Sequence, residues 1–189
     1  YLPGGSFDHI AIDSRRSARD AAEHLLATGR RSFAFIGARP DASSGPSRFR
    51  LDGLRSTLAD HGHTLDERLV AATAAHTRDE GRRATELLLD SGVRFDALIC
   101  AADLLAVGAL ATLRDRGLTV PGDVALVGWD DSPEGRYTAP PLTSIAHDMP
   151  ELARRAIEAL EQRQLDPDRD PVEIVVGHRL VLRRSTAAG

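Results

Sequence analysis

Ala97-Leu98-Ile99-Cys100-Ala101-Ala102-Asp103-Leu104-Leu105-Ala106-Val107-Gly108-Ala109-Leu110 is the stretch on which the fold turns. Its first five residues are apolar without alternation. That is the pattern of a strand buried on both faces, and such strands belong to parallel sheets covered by helices. Asp103 stands where an N-cap is needed for the helix that follows, whose end falls at Gly117. A second short apolar run, Val124-Ala125-Leu126-Val127, comes next. Strand, helix and strand in roughly 30 residues make a βαβ unit.

The same alternation extends towards the N-terminus. Phe33-Ala34-Phe35-Ile36-Gly37 reads as a buried strand, and 69–72 as a weaker one. Ala18, Ala21, Ala22, Leu25 and Leu26 share one helix face. A polar loop over 39–46 leads into a helix ending near Gly62, and Thr77-Arg78-Asp79-Glu80 reads as a capping box. Gly29, Gly62, Gly92 and Gly117 each sit where a helix should stop in the left-handed conformation. The prediction is an α/β fold with a parallel sheet of five or six strands and helices on both faces. Its strands include 33–37, 69–72, 97–101, 124–127 and 180–183.

After Asp131 the pattern changes. A loop with three prolines (132–141) precedes a short strand at 142–145. Asp148 is then placed to cap a helix with Leu152, Ala153, Ala156 and Leu160 on its apolar face. An acidic, proline-containing linker (165–171) leads to two strand-like runs, 173–176 and 180–183. This order is that of a chain crossing between two lobes.

Composition narrows the function. The chain has 189 residues, 42% apolar and 28% charged, the mix of a globular protein. Its 24 basic side chains are all arginine, and against 28 acidic ones the net charge is −4. A net-negative chain is a poor nucleic-acid ligand by itself, because affinity for phosphates comes from excess positive charge. One cysteine, Cys100, excludes an internal disulfide and fits a reducing compartment. The most apolar window, 97–113, is broken by Asp103 and falls short of the ~20 residues of a membrane span. Residues 1–13 lack the basic start and apolar stretch of a secretory leader. His61-Gly62-His63 offers two imidazoles with no third ligand nearby, so no metal is expected. Neither a phosphate-binding glycine loop nor a Gly-x-Ser-x-Gly elbow occurs. No cofactor and no catalytic residue are expected.

Arg116-Gly117-Leu118-Thr119-Val120-Pro121-Gly122-Asp123-Val124 runs into Val127-Gly128-Trp129-Asp130-Asp131, then Pro140-Pro141-Leu142-Thr143-Ser144-Ile145. In that order these segments closely resemble the effector-binding domain of the lactose-repressor (LacI/GalR) family of bacterial transcription regulators. Arg30-Arg31-Ser32-Phe33-Ala34-Phe35-Ile36-Gly37, Arg50-Leu51-Asp52-Gly53-Leu54 and Leu182-Arg183-Arg184-Ser185-Thr186 fit the same family. The resemblance implies a periplasmic-binding-protein-like fold of two lobes with a ligand cleft between them. On that basis 14–145 and 179–189 form the C-terminal lobe. Residues 1–13 and 146–178 are then the remainder of an N-terminal lobe, leaving apolar residues such as Leu152, Ala156 and Leu160 without their sheet. A helix-turn-helix head and most of the N-terminal lobe would precede Tyr1 and are absent from this chain.

The resemblance also implies a site. Strand ends in open parallel sheets are where ligands bind, and Arg50, Asp103 and Asp130 all follow strands. Arg50 falls on the family's effector-contacting arginine; the other reading is a helix-surface arginine paired with Asp52. Asp130 falls on the cleft aspartate; the other reading is a turn-forming pair with Asp131. Asp103 matches a family position, but its chief expected role is the helix N-cap. His76 and His147 fall on family contact positions and read equally well as solvated loop residues. Ala102 departs from the family's usual asparagine and cannot supply an amide to a ligand. One arginine with several carboxylates would suit a hydroxyl-rich molecule, a sugar or related metabolite. The implied function is effector sensing by a cytoplasmic, homodimeric regulator, with operator DNA bound through the separate head and no membrane partner. Leu87, Leu104 and Leu110 are candidates for the dimer surface. The alternative function is a transporter's periplasmic-type solute-binding protein, which shares the fold.

Overall fold

Residues 7–39 and 45–187 are described by a computed structural model. The middle of the predicted 39–46 loop and the chain ends, 1–6 and 188–189, lie outside the described residues. The main sheet has six strands in the order β3-β2-β4-β5-β6-β8. They are β2 (Phe33–Ala38), β3 (Val70–Ala72), β4 (Ala97–Cys100), β5 (Ala125–Trp129), β6 (Thr143–His147) and β8 (His178–Val181). A separate pair joins β1 (His9–Ile12) to β7 (Glu173–Val176) in parallel, with Ile10 opposite Ile174. The helices are α1 (Ser14–Ala27), α2 (Pro46–Asp60), α3 (Arg78–Asp90), α4 (Asp103–Asp115), α5 (Pro133–Arg136) and α6 (Met149–Leu165).

The predicted strand at 180–183 is displaced and its direction corrected. β8 is His178–Val181, and it runs antiparallel to β6, with His178 opposite His147. The reason is the route of the chain. It leaves the sheet along β6 and re-enters at the same end along β8, after the excursion through α6 and β7. Neighbouring strands that leave and return at one end must point in opposite directions. The other four pairings of the main sheet are parallel.

Strand order fixes the layers. From β2 the chain moves outward to β3, then reverses past β2 to β4 and on to β5. Right-handed crossovers therefore put α2 on one face and α3 and α4 on the other. α1 packs beside α2, and α3 beside α4. Glycine sets how closely α3 and α4 meet. A Cβ at Gly81 would lie 2.2 Å from the Leu105 carbonyl oxygen, and one at Gly108 would lie 2.0 Å from that of Arg78. The core between the layers is apolar and closed, with Phe33, Phe35, Ile36, Leu98, Ile99, Leu105 and Trp129 almost wholly removed from water.

Helix ends follow the sequence except at the starts of α3 and α4. Gly29, Gly62, Gly92 and Gly117 all have positive φ. Asp148 caps α6 by accepting from the Glu151 amide at 3.0 Å. Thr77 accepts from the Glu80 amide at 3.2 Å, but the return half of the capping box is missing. The Glu80 carboxylate instead accepts from the Ala74 amide at 2.8 Å and pairs with Arg83, which together hold it at a pKa of about 2.

The C-terminal tail locks the sheet. Ser185 Oγ donates to the Leu126 carbonyl at 2.6 Å and accepts from the Thr143 amide at 2.8 Å, bridging β5 and β6. Outside the main sheet, α6 packs on β1 and β7 and buries Ala159. Leu152 and Ala156 are half-buried, while Ile157, Leu160 and Val175 are more than half exposed. The β1-α6-β7 unit joins the rest of the fold through single residues: Asp13 before α1, Asp148 after β6, and Gly177 before β8. Among the dimer candidates, Leu87 is exposed, Leu104 partly so, and Leu110 is not a surface residue: it is 9% exposed and belongs to the core, on the inner side of α4.

Gly108→Ala should destabilise the fold by about 1–3 kcal/mol, because the added methyl must push α4 away from α3. Urea denaturation reads this directly; an unchanged midpoint would mean that the two helices separate without cost.

Candidate ligand site

The reversal of strand order between β2 and β4 leaves an opening at the carboxyl ends of the strands, where open α/β sheets bind ligands. A hollow of about 390 Å³ lies there, lined by Arg39 after β2, Ser47, Arg48 and Arg50 from the first turns of α2, His76 before α3, and Asp130 after β5. Two other hollows lie elsewhere. One of about 270 Å³ between β1, the start of α1 and Phe49 contains none of the predicted site residues. One of about 450 Å³ beside the β6 and β8 crossings is lined by His147 and His178.

Arg50 is inside the protein, not on the helix surface. It is 9% exposed, its guanidinium lies 4.5 Å from the centre of a Trp129 ring, and Nη1 donates to the Ala101 carbonyl. Its Nε is buried without a hydrogen-bond partner. Burial pulls its pKa down to about 10, with the Asp130 charge opposing, so it remains a cation at neutral pH. Asp52, the partner in the other reading, instead takes Arg15 at 3.0 Å.

The Asp130-Asp131 pair divides its work. Asp131 is structural: its amide donates to Ser144 Oγ at 3.0 Å, and its carboxylate accepts from Arg136 at 3.1 Å and from Arg183. Asp130 has φ +100°, a strained backbone for a residue with a side chain. Its carboxylate is about half exposed and opens to the hollow.

The expected N-cap role of Asp103 is not what the structure contains. Ala102 holds the N-cap position with no side-chain bond, and Asp103 is the first helical residue, 1% exposed. Its carboxylate accepts from Ser144 Oγ at 2.7 Å and from the Ser132 amide at 2.6 Å. Burial raises its pKa, and those hydrogen bonds partly offset the rise. The close packing needs Gly128, where a Cβ would lie 2.2 Å from an Asp103 oxygen. Asp103 does not line the hollow.

His76 is half-buried, with Nε2 shielded and unpartnered. The His147 side chain is 7% exposed; neither ring nitrogen has a hydrogen-bond partner, and Nε2 lies 3.7 Å from Asp130. Burial first, then the Arg50 charge, lowers the pKa of both histidines. The structure thus gathers Arg50, Asp130 and His76 around one hollow, sets His147 against Asp130 from behind, and leaves Asp103 outside. Sequence reasoning missed three members, Arg39, Arg48 and the Trp129 ring. The strand-end rule points to Arg39, directly after β2. Arg48, two residues before Arg50 on α2, offered no separate signal. The expected charge balance is reversed: three arginines and one carboxylate line the hollow.

A largely parallel sheet of this order, with a polar hollow at its switch point and a second unit attached by three short links, defines a periplasmic binding protein-like domain, and residues 22–186 match the family of that description. Among relatives, the HTH-type transcriptional regulator CelR of Thermobifida fusca is 34% identical over 97% of this chain and 53% of its own length. GalR of Escherichia coli is 33% identical over 83% of this chain and 45% of its own. The chain therefore spans about half the length of these regulators. A solved LacI-family transcriptional regulator from Sanguibacter keddieii is 39% identical, with a TM-score of 0.91, over 100% of this chain and 70% of that one. A solved complex of CelR with cellobiose has a TM-score of 0.90 at 34% identity, covering 97% of this chain and 55% of that one. The chain belongs to the LacI family of transcriptional regulators.

The histidines set a pH dependence. His24, His76 and His147 all have folded pKa values lowered below the ordinary 6.5, in each case chiefly by burial. As pH falls through the unfolded value, the unfolded chain takes up protons first, so stability should decline from pH 7.5 towards 5.5. His147→Gln should flatten part of that decline in urea titrations; an identical slope would remove His147 from the effect.

Proposed function

We propose that this chain is the larger part of the effector-sensing domain of a LacI-type transcriptional regulator. In this reading 14–145 and 179–189 form the C-terminal lobe, and 1–13 and 146–178 belong to a second lobe. The division is supported by the membership of β1 and β7 in a sheet of their own and by the three single-residue crossings. A small polar ligand, a sugar or related metabolite, binds Arg50, Asp130 and His76. His147 lies beside Asp130, close enough to contact the same ligand. Asp103 acts through Ser144 and Ser132 as a positioning residue rather than a contact. Ligand shifts the population of two lobe arrangements, which requires different affinity for each. The arrangement is read by a separate N-terminal head that contacts operator DNA, in a cytoplasmic homodimer matched to near-palindromic operators. The relatives CelR, AscG and GalR, each a transcriptional regulator, favour this over a transporter's solute-binding protein.

The observation that carries the reading is Arg50. A guanidinium packed on Trp129, lining a hollow shared with Asp130 and bonded to the protein through Nη1 alone, keeps donor capacity for a ligand acceptor. Calorimetry on the intact regulator with a panel of mono- and disaccharides, cellobiose among them, tests it. Arg50→Ala should weaken the saccharide that binds by about 10- to 150-fold, the worth of a charge-assisted hydrogen bond. Equal affinity in the two proteins would remove Arg50 from the site.

A further inference from the structure

We propose that the ligand of this hollow carries an anionic group, a phosphate or a carboxylate, seated against the N-terminus of α2 between Arg39, Arg48 and Arg50. The inference rests on the ligand-binding reading above and names the chemical class of what binds.

Four observations converge on it. The first is the helix end. α2 is 15 residues long, begins with Gly45 at the N-cap and Pro46 behind it, and has no side-chain cap. The N-terminus of a helix presents free amides and the positive end of the helix dipole, a ready seat for an anion. The second is Arg50, nine-tenths buried and lining the hollow with Nε unpartnered. The third is charge. Arg39 is exposed after β2 with no acidic partner among the described residues, and Arg48 is only loosely tied to Asp52 at 3.8 Å. Against these the lining holds one carboxylate, Asp130. The fourth is His76, whose Nε2 is shielded and unpartnered in the same wall. A neutral, hydroxyl-rich ligand would make no use of the charges of Arg39 and Arg48, which would stay solvated at the rim. A ligand with an anion at one end and hydroxyls at the other answers both sides, because arginines pair with phosphate or carboxylate in bidentate fashion. Asp130 accepts from the hydroxyls.

Inorganic phosphate is the simplest probe, titrated calorimetrically into the intact regulator at fixed low chloride. Glucose, glucose 6-phosphate and glucuronate are titrated in parallel to separate a phosphate from a carboxylate preference. Saturable phosphate binding, weakened roughly tenfold or more in the Arg39→Ala/Arg48→Ala double variant, supports the proposal. So does an anionic sugar that binds at least tenfold more tightly than its neutral counterpart and loses that advantage in the double variant. Both substitutions are at exposed positions, and a retained melting temperature confirms an intact fold. Phosphate that does not saturate, or that binds the double variant equally well, overturns the proposal. A neutral saccharide that binds with full dependence on Arg50 while no anion competes also overturns it, and leaves the ligand-binding reading standing. Phosphate bound through Arg39 and Arg48, with no saccharide of either kind bound, would instead sustain the anion seat and overturn the sugar reading.

Discussion

The carboxylate of Asp103 is the constraint around which the ligand end of the sheet is built. Held at 1% exposure at the start of α4, it receives Ser144 Oγ from β6 and the Ser132 amide from the turn after β5. A buried charge is tolerated only where hydrogen bonds satisfy it, so these donors cannot move independently. Ser144 in turn accepts from the Asp131 amide, and Asp131 holds Arg136 and Arg183. The strained backbone of Asp130 is a product of this network: with its neighbours on both sides fixed, its side chain projects into the hollow. Gly128 is the necessary complement, since any side chain there would occupy the space of the carboxylate.

Opposite this network, Arg50 is fixed by other means. It lies over Trp129, the last residue of β5, and donates to the carbonyl of Ala101 directly after β4. The cation, carried by α2, is thus braced against the ends of β4 and β5, and the carboxylate follows β5 directly. Their separation is set by the sheet, not by flexible loops, which is the arrangement that keeps a binding site preorganised.

Much of the architecture was legible because it rests on local rules. Uninterrupted apolar runs mark strands buried on both faces, and a glycine where a helical pattern stops marks its end; 33–37, 97–101 and Gly117 were readable on those grounds alone. The direction of β8 was not, because it depends on where α6 and β7 deliver the chain, a tertiary fact that the residues of β8 do not encode. The site divided in the same way. Asp130 directly follows a strand, Arg50 follows one after a connecting loop, and both fall in matching motifs. Asp103 was misassigned because an aspartate before an apolar helix looks like a cap whether its carboxylate turns to its own amides or, as here, across to another strand. Arg39 and Arg48 were passed over because a surface arginine in a chain whose basic residues are all arginine carries little information until a hollow is seen beside it. Leu110 shows the same limit for packing: on a helix as apolar as α4, sequence does not say which leucine faces out.

The three links from the β1-α6-β7 unit to the rest of the fold are one residue long: Asp13 into α1, Asp148 from β6 and Gly177 into β8. Two of these residues are also helix caps, Asp13 for α1 and Asp148 for α6, so their side chains are already committed. A joint of this kind has no slack to take up. The two units cannot slide past each other or drift apart, because each link would have to lengthen. A pivot of one unit on the other would fall on the backbone torsions of these three residues, and two of them, Asp148 and Gly177, stand beside His147, which meets Asp130. A molecule held at that end of the sheet sits beside the axle, where a small displacement at the centre sweeps the far end of the second unit through a much larger arc.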